Sequence, residues 1–261
     1  MTQTIMTTLF KKQNISCSNC NLSELCLPMG LDNTELKQLD QLMRQHQSRQ
    51  PLRRKEHLFD SGDPLTHLYA IRSGCIKTVL QSTAGDEQIL GFHLPGELLG
   101  LDALENNQHT CTAIALTDTR ICQLPFEKMN QICGQIPAFH HQIQHLIGRK
   151  ISQDHTMMLL LGKKNAEERL LSFLLSLSTR FQQRGFSAHD FNLNMSRHDI
   201  ANYLGLAVET ISRLLKRFQT KGLISVQHRN IQLHDLEKLK SGVSFCKGNP
   251  TCNNQDLHSR D

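Results

Sequence analysis

The apolar positions of this chain change their period twice. Residues 1–16 show no periodicity and are expected to be mobile. Leu36, Leu39 and Leu42 then recur on one side of a short predicted helix. From about 51 to 125 the pattern becomes short apolar stretches, such as His67-Leu68-Tyr69-Ala70-Ile71 and Ile76-Lys77-Thr78-Val79-Leu80. Turn signals separate them: Ser61-Gly62-Asp63, Ser73-Gly74, Ala84-Gly85-Asp86 and Pro95-Gly96-Glu97. Turns at this spacing predict an antiparallel sandwich or barrel, and no βαβ unit or Gly-rich phosphate loop is legible. From Pro137, a residue suited to a first helical turn, the period is helical. Ile143, Ile147, Ile151 and Met158 follow one another with no breaker before Gly162. A helix over 137–162 would be about 37 Å long. Its stripe resembles a coiled-coil seam and predicts a dimer interface, with packing on the chain's own sheet as the alternative. Residues 165–183 form another amphipathic pattern through Leu170, Leu171, Phe173, Leu174 and Leu177, ended by Gly185.

The next stretch carries the most chemistry. Ser196 is a good N-cap for a short helix whose inner face is Ile200, Ala201 and Leu204. Gly205 supplies a tight turn, and Leu206 packs inward. A second helix then sends Val208, Ile211, Leu214, Leu215 and Phe218 inward and presents Glu209, Thr210, Ser212, Arg213, Lys216 and Arg217 outward. Two short helices joined at a Gly, the second basic outside, form a helix-turn-helix. Arg213 is suited to guanine O6 and N7 in the major groove, and Glu209 to the amine of cytosine. Ser212 lies between them, and Lys216, Arg217 and Lys221 are suited to phosphates. Strand-like pieces at 223–227 and 230–234 predict a wing.

Charge supports this division. Residues 1–162 carry 14 basic and 15 acidic side chains, whereas 163–240 carry 13 basic and 7 acidic. A near-neutral first part joined to a basic second part points to a polyanion partner for the latter. No apolar run of membrane-spanning length and no signal-peptide pattern occurs, so the expected location is the cytoplasm.

Nine cysteines are many for a cytoplasmic chain, and stable disulfides are not expected there. Cys17, Cys20 and Cys26 place three thiols within ten residues, which suits zinc or an iron–sulfur cluster. Either normally takes a fourth ligand. Spacing does not choose among Cys75, Cys111, Cys122, Cys133, Cys246 and Cys252. His141 and His145 also stand four apart on the long helix, but with fourteen histidines a chance pair is the better explanation.

Together the cysteine segment, the sandwich-like region, the long helix and Glu209-Thr-Ile-Ser212-Arg213 resemble the FNR oxygen-sensing regulators of the CRP/FNR superfamily. Leu68-Tyr-Ala-Ile-Arg-Ser-Gly74, Lys163-Lys-Asn-Ala-Glu-Glu-Arg-Leu170 and Asn202-Tyr-Leu-Gly-Leu206 add to the resemblance, which covers roughly residues 15–238. It implies an α+β fold: an N-terminal double-stranded β-helix (jelly roll) sensor domain, a long dimerisation helix and a C-terminal winged helix-turn-helix. The expected divisions are a cysteine segment at 1–30, a β sensor domain at 31–136, a dimerisation helix at 137–162, a DNA-binding domain at 163–240 and a disordered tail at 241–261. The resemblance also implies that Cys122 joins Cys17, Cys20 and Cys26 as ligands of an oxygen-labile [4Fe-4S] cluster, which oxygen converts to [2Fe-2S]. A homodimer would form along Ile143, Ile147, Ile151, Asp154 and Met158, with the Asp154 charge helping to balance monomer against dimer. It would bind a TTGAT-type inverted repeat in double-stranded DNA, mainly as an activator of anaerobic genes. Ser73 and Gly85 match positions that touch RNA polymerase. The tail from Val243, with Cys246 and Cys252, departs from the family pattern.

Three other readings compete. Cyclic-nucleotide-binding relatives hold the phosphate with an Arg after the Gly-Glu turn, but none stands between Leu101 and Thr112, and the next is Arg120. No cyclic nucleotide is therefore expected. An electron-transfer enzyme would need a substrate or flavin site, and none is legible, so no enzymatic activity is expected. A zinc-stabilised DNA binder without oxygen sensing differs from the favoured reading only in its metal.

Overall fold

The computed structural model describes residues 17–44, 51–82 and 85–241. The expectations for residues 1–16 and for nearly all of the tail, with Cys246 and Cys252, lie outside these.

Seven short strands build a β roll: β1 (His57–Phe59), β2 (His67–Ser73), β3 (Ile76–Gln81), β4 (Glu87–His93), β5 (Leu98–Leu99), β6 (Thr112–Ala115) and β7 (Arg120–Pro125). They form one antiparallel sheet in the order β1-β6-β3-β4 and another in the order β5-β2-β7. Side chains alternate across a strand. Phe59, Ile76 and Ala113 from one sheet therefore meet Tyr69, Ile71, Leu99 and Ile121 from the other in a buried core. Gly74, between β2 and β3, has φ +96°, and a Cβ there would lie 2.3 Å from Thr119 Oγ1 and 2.7 Å from the Asp118 carbonyl oxygen. Only glycine fits that approach.

The outer faces of the two sheets are also buried, and this organises the rest of the chain. The outer face of β2 and β7 offers Leu68 and Leu124. They pack with Leu27, with Leu39 of α1 (Asn33–Arg44), with Met129 and Ile132 of α2 (Phe126–Gln135), and with Phe139 and Ile143 of α3 (Pro137–Lys163). Each fully buried aliphatic side chain here contributes about 1.5–3 kcal/mol. The other sheet's outer face carries a bulge: Thr78 pairs with Gly91 but Val79 with Ile89, leaving Leu90 extra. The bulge breaks the alternation, so Ile89 and Phe92 join one buried cluster despite their odd spacing.

That cluster continues into the C-terminal part. It includes Leu170, Phe173, Leu174 and Leu177 of α4 (Ala166–Gln182), Ile200, Ala201 and Leu204 of α5 (Arg197–Leu204), and Ile211, Leu214, Leu215 and Phe218 of α6 (Val208–Thr220). A second sheet, in the order β8-β10-β9, joins β8 (Asp190–Asn192), β9 (Ile224–Gln227) and β10 (Asn230–Leu233), and α7 (Leu236–Ser241) follows. The helix α3 runs one residue past Gly162, and α4 then restarts the chain at a capping box formed by Asn165 and Glu168. The sequence pattern does not anticipate α2, β8 or α7. β8 is three residues long and α7 six, and β8 acquires its strand geometry from pairing with β10.

Candidate nucleic-acid interface and thiol cluster

The reading head is built by local rules. Ser196 Oγ accepts from the Asp199 N–H at 3.1 Å, and Asp199 Oδ2 accepts from the Ser196 N–H at 2.9 Å, so α5 begins at a closed capping box. It ends at Gly205, whose φ of +60° reverses the chain before α6. Ile211, Leu214, Leu215 and Phe218 follow the i, i+3, i+4, i+7 pattern and are buried. The opposite face is therefore turned outward: Glu209, Arg213, Lys216 and Arg217 are exposed, and Thr210 and Ser212 are half-buried. Arg213 donates to Thr210 Oγ1 at 3.3 Å, and Arg197, at the start of α5, donates to Ser212 Oγ at 3.3 Å. Arg197 is a cation at this surface that the pattern alone did not single out. Its position directly after the cap was the available signal. Glu167 of α4 pairs with Arg217 at 3.1 Å and with Lys221 at 3.0 Å. Beside α6, β9 and β10 form the wing, turned at His228 with φ +54° and followed by exposed Arg229. Asp190 of β8 accepts from Asn230 and Gln232 and ties the wing's base.

The thiols lie on the opposite side of the roll. Cys122 pairs with Ala70 across β7 and β2 and shares the outer strand face with Leu124, whereas Ile121 points into the roll. Cys17 and Cys26 join the same apolar cluster as Cys122. Burial raises the Cys17 thiol well above the usual range, with Asp40, Cys26, Cys122 and Cys20 adding to it. Burial likewise pushes Cys26 up to about 12, and Cys122 and Cys20 add to that rise. Burial also raises Cys122, against the lowering effect of Arg72, and Cys20 is the cysteine that reaches it. These four thiols are thus within electrostatic reach of one another. Cys75 instead lies near Arg180 and Glu97, and Cys111 near Asp102. Cys133 borders the same apolar cluster. The seven described cysteines are unbridged.

The cysteine segment is held at several points. The Cys17 N–H donates to Asp40 of α1, and Gln142 of α3 donates to the Cys26 carbonyl at 3.0 Å. A Cβ on Gly96 would lie 3.1 Å from Leu25 Cβ, so the segment presses on the turn after β4. Soft thiol donors beside an apolar cluster suit a polynuclear iron–sulfur group, whose positive iron would offset the burial that raises Cys17, Cys26 and Cys122. Among the described residues no three His, Cys, Asp or Glu side chains are gathered to hold a metal ion as they stand. Ligation would draw these thiols closer together.

The long-helix stripe is divided. Ile143 is buried, 5% exposed, in the apolar cluster on the outer face of β2 and β7, and Ile147 packs against that cluster. Ile151 and Met158 are 50% and 63% exposed. Asp154 is exposed between them and is ion-paired to Lys150 one turn earlier. Ser73 is exposed at the end of β2, and Gly85, with φ +88° and open space around it, lies in the β3–β4 hairpin. Among the described residues no helix is long and apolar enough to cross a membrane.

A β roll packed on a winged helix-turn-helix with a basic outer helix defines a DNA-binding regulator. Residues 49–135 match the family described as cyclic nucleotide-binding domain, and residues 168–241 the Crp-like helix-turn-helix domain. The chain is 48% identical over 225 residues to the anaerobic regulatory protein of Aggregatibacter actinomycetemcomitans, covering 86% of each chain. It is also 48% identical over 232 residues to the fumarate and nitrate reduction regulatory protein of Vibrio cholerae, covering 88% of this chain and 92% of that one. The solved structure of FixK2 from Bradyrhizobium japonicum superposes with a TM-score of 0.70 at 28% identity, over 77% of this chain and 98% of that one. The chain belongs to the CRP/FNR family of transcription regulators.

Proposed function

We propose that this protein is an oxygen-responsive regulator, mainly an activator, of genes for anaerobic metabolism, working in the cytoplasm as a homodimer. The observation that supports this reading is that Cys122, from a strand of the roll, borders the same apolar cluster as Cys17 and Cys26, against the first turns of α3. The names of the relatives, which speak of anaerobic regulation and of fumarate and nitrate reduction, support it. In this reading Cys17, Cys20, Cys26 and Cys122 would hold a [4Fe-4S] cluster, which would supply an oxygen-labile centre.

The chain's own residues convert that change into DNA occupancy. Ligation ties the 17–26 segment to β7, and Gln142 links the segment to α3. Ile143 and Ile147 fix the helix to the sensor, and Ile151, Asp154 and Met158 meet their counterparts in a second copy. Two facing Asp154 carboxylates oppose the seam, so the dimer stands near balance and a few kcal/mol tip it. One reading head holds a half-site weakly. Two joined heads gain through effective concentration on a TTGAT-type inverted repeat in double-stranded DNA. Arg213 and Glu209 read base edges, Ser212 and Thr210 support them, and Lys216 and Arg217 hold phosphates once Arg217 leaves Glu167. Ser73 and Gly85 face RNA polymerase. The corresponding division of labour is a cysteine segment over 1–30, a sensor over 31–136, a dimerisation helix over 137–162, a reading domain over 163–240 and a tail over 241–261.

The test is the visible spectrum of protein purified without oxygen, followed as air is admitted. A broad brown absorption that decays together with DNA binding, with acid-labile sulfide present, is the expected result. Cys122→Ala should lose the absorption and Cys246→Ala should keep it. A colourless protein with stoichiometric zinc and DNA binding indifferent to air would remove the sensor and leave the DNA reader.

A further inference from the structure

The reading head is tied to the β roll by contacts that neither DNA reading nor thiol ligation uses. β4 is an edge strand, so its outward backbone groups have no strand partner. The Asn202 side chain takes the place of one: its Oδ1 accepts from the Ile89 N–H at 2.6 Å, and its Nδ2 donates to the Glu87 carbonyl at 2.7 Å. Gln88 Nε2 in turn donates to the Asn202 carbonyl at 3.0 Å. A side-chain amide on α5 thus mimics one residue of a fifth strand. Three positions earlier on α5, Asp199, the carboxylate that also closes the helix cap, pairs at 2.9 Å with Lys77 of β3.

A second tie lies at α4. Glu97, in the turn after β4, accepts from Arg180 at 2.7 and 3.0 Å and from Arg184 at 2.7 Å. Arg180 also donates to the Phe92 carbonyl, and Arg184 to the Pro95 carbonyl at 2.6 Å. Between the two ties Phe92 packs on Tyr203 at 5.1 Å between centroids and on Phe173 at 6.0 Å. One carboxylate holding two arginines across a junction is directional in a way that apolar packing is not. None of these side chains is on the outer face of α6.

We propose that Asn202 and Glu97 are positioning residues that fix the reading head against the β roll, and so set the half-site separation that a dimer accepts. The proposal rests on the reading that two copies joined through α3 bind an inverted repeat. A head held at two points of one rigid sheet has one orientation relative to α3. Changing the spacer by one base pair moves a half-site by about 3.4 Å and turns it by roughly 34°. A fixed head cannot follow that change without breaking a tie, whereas a loosened head can.

The experiment measures binding of the full-length protein, kept without oxygen and at one salt concentration, to four duplexes. They carry the inverted repeat, the repeat with its spacer one base pair shorter or longer, and a single half-site. The wild type should lose about tenfold or more in affinity on either altered spacer. Asn202→Ala should hold the single half-site within about twofold of wild type and show a spacer penalty of about threefold or less. Glu97→Gln and Lys77→Met should change the penalty in the same direction, and Lys77→Met keeps the proposal testable if Glu97→Gln, which leaves two half-buried arginines uncompensated, fails to fold. A wild-type spacer penalty in a folded Asn202→Ala protein would overturn the positioning role alone. A wild type that binds the repeat no more tightly than the half-site would overturn the inverted-repeat reading, and the positioning role with it.

Discussion

At the scale of the residue, each function resolves into a few side chains whose neighbours explain them. Arg213 is exposed on α6 and bonds only weakly to Thr210, so its guanidinium is available for a bidentate guanine contact. Arg213→Ala should cost about 1–3 kcal/mol of specific binding and relax the preference at one base pair. Footprinting on the wild-type site and on that base-pair variant checks it, and an unchanged footprint would remove Arg213 from the readout. The outward set on α6 was legible because helical periodicity alone separates it from the buried set. Gln142 was not legible. A glutamine on an apolar helix carries no signal until the fold brings it to the Cys26 carbonyl. Asn202 is similar: it lies in a stretch the sequence marks as helix, yet its partners are about 113 residues away in sequence.

At the scale of the element, caps and stripes decide what each helix does. Asn165 and Glu168 form a capping box that restarts the chain directly after α3, so the two helices meet at a defined corner. Asn165→Ala should destabilise the protein by about 0.5–2 kcal/mol, read as a lower melting temperature. An unchanged melt would mean that burial of α4 alone fixes the corner. The long helix behaves as two halves, one holding the sensor core and the other exposing Ile151, Asp154 and Met158. Ile151→Glu should shift the protein toward monomer, and Asp154→Ala toward dimer, in sedimentation of the cluster-loaded protein. If neither moves the equilibrium, this face of α3 is not the seam. A periodic stripe shows that a helix has an apolar face. It does not show where along the helix the covering partner changes.

At the scale of the whole molecule, a charged junction joins the β roll to the winged helix-turn-helix and makes stability depend on acid. Burial opposes ionisation of Glu97, but Arg180 and Arg184 overcome it and hold its carboxyl at about 2, below its usual 4.5. Burial lowers His93 from 6.5 to about 4, with Glu97, Arg180, Lys150 and Asp154 as the charges that reach it and Thr78 Oγ1 3.0 Å from its Nε2. Both groups bind protons more readily when the chain is unfolded. The stability from neutral His93 is therefore complete above pH 6.5 and lost as pH falls toward 4. That from ionised Glu97 is complete above 4.5 and lost toward 2. Urea unfolding across pH should show wild type losing on the order of 1–3 kcal/mol more than His93→Gln between pH 6.5 and 4. Parallel curves for the two proteins would mean that His93 titrates as freely in the fold as out of it.

The sequence by itself determined whatever depends on neighbours along the chain. Period 2 and turn residues mark the roll, period 3.6 marks α3, α4 and α6, and Ser196 and Gly205 bound the first reading helix. These signals are local, because backbone dihedrals, caps and amphipathic faces are set within a few residues. Tertiary structure alone decided which distant groups meet. It set Cys122 and Cys133, among six cysteines that spacing left equal, beside the apolar cluster that Cys17 and Cys26 border. It divided the α3 stripe between sensor core and solvent, and it completed the open edge of β4 with Asn202. Each of those outcomes follows from burying apolar faces against one another. Chain-local patterns state that such faces exist, but only the packed arrangement selects their partners.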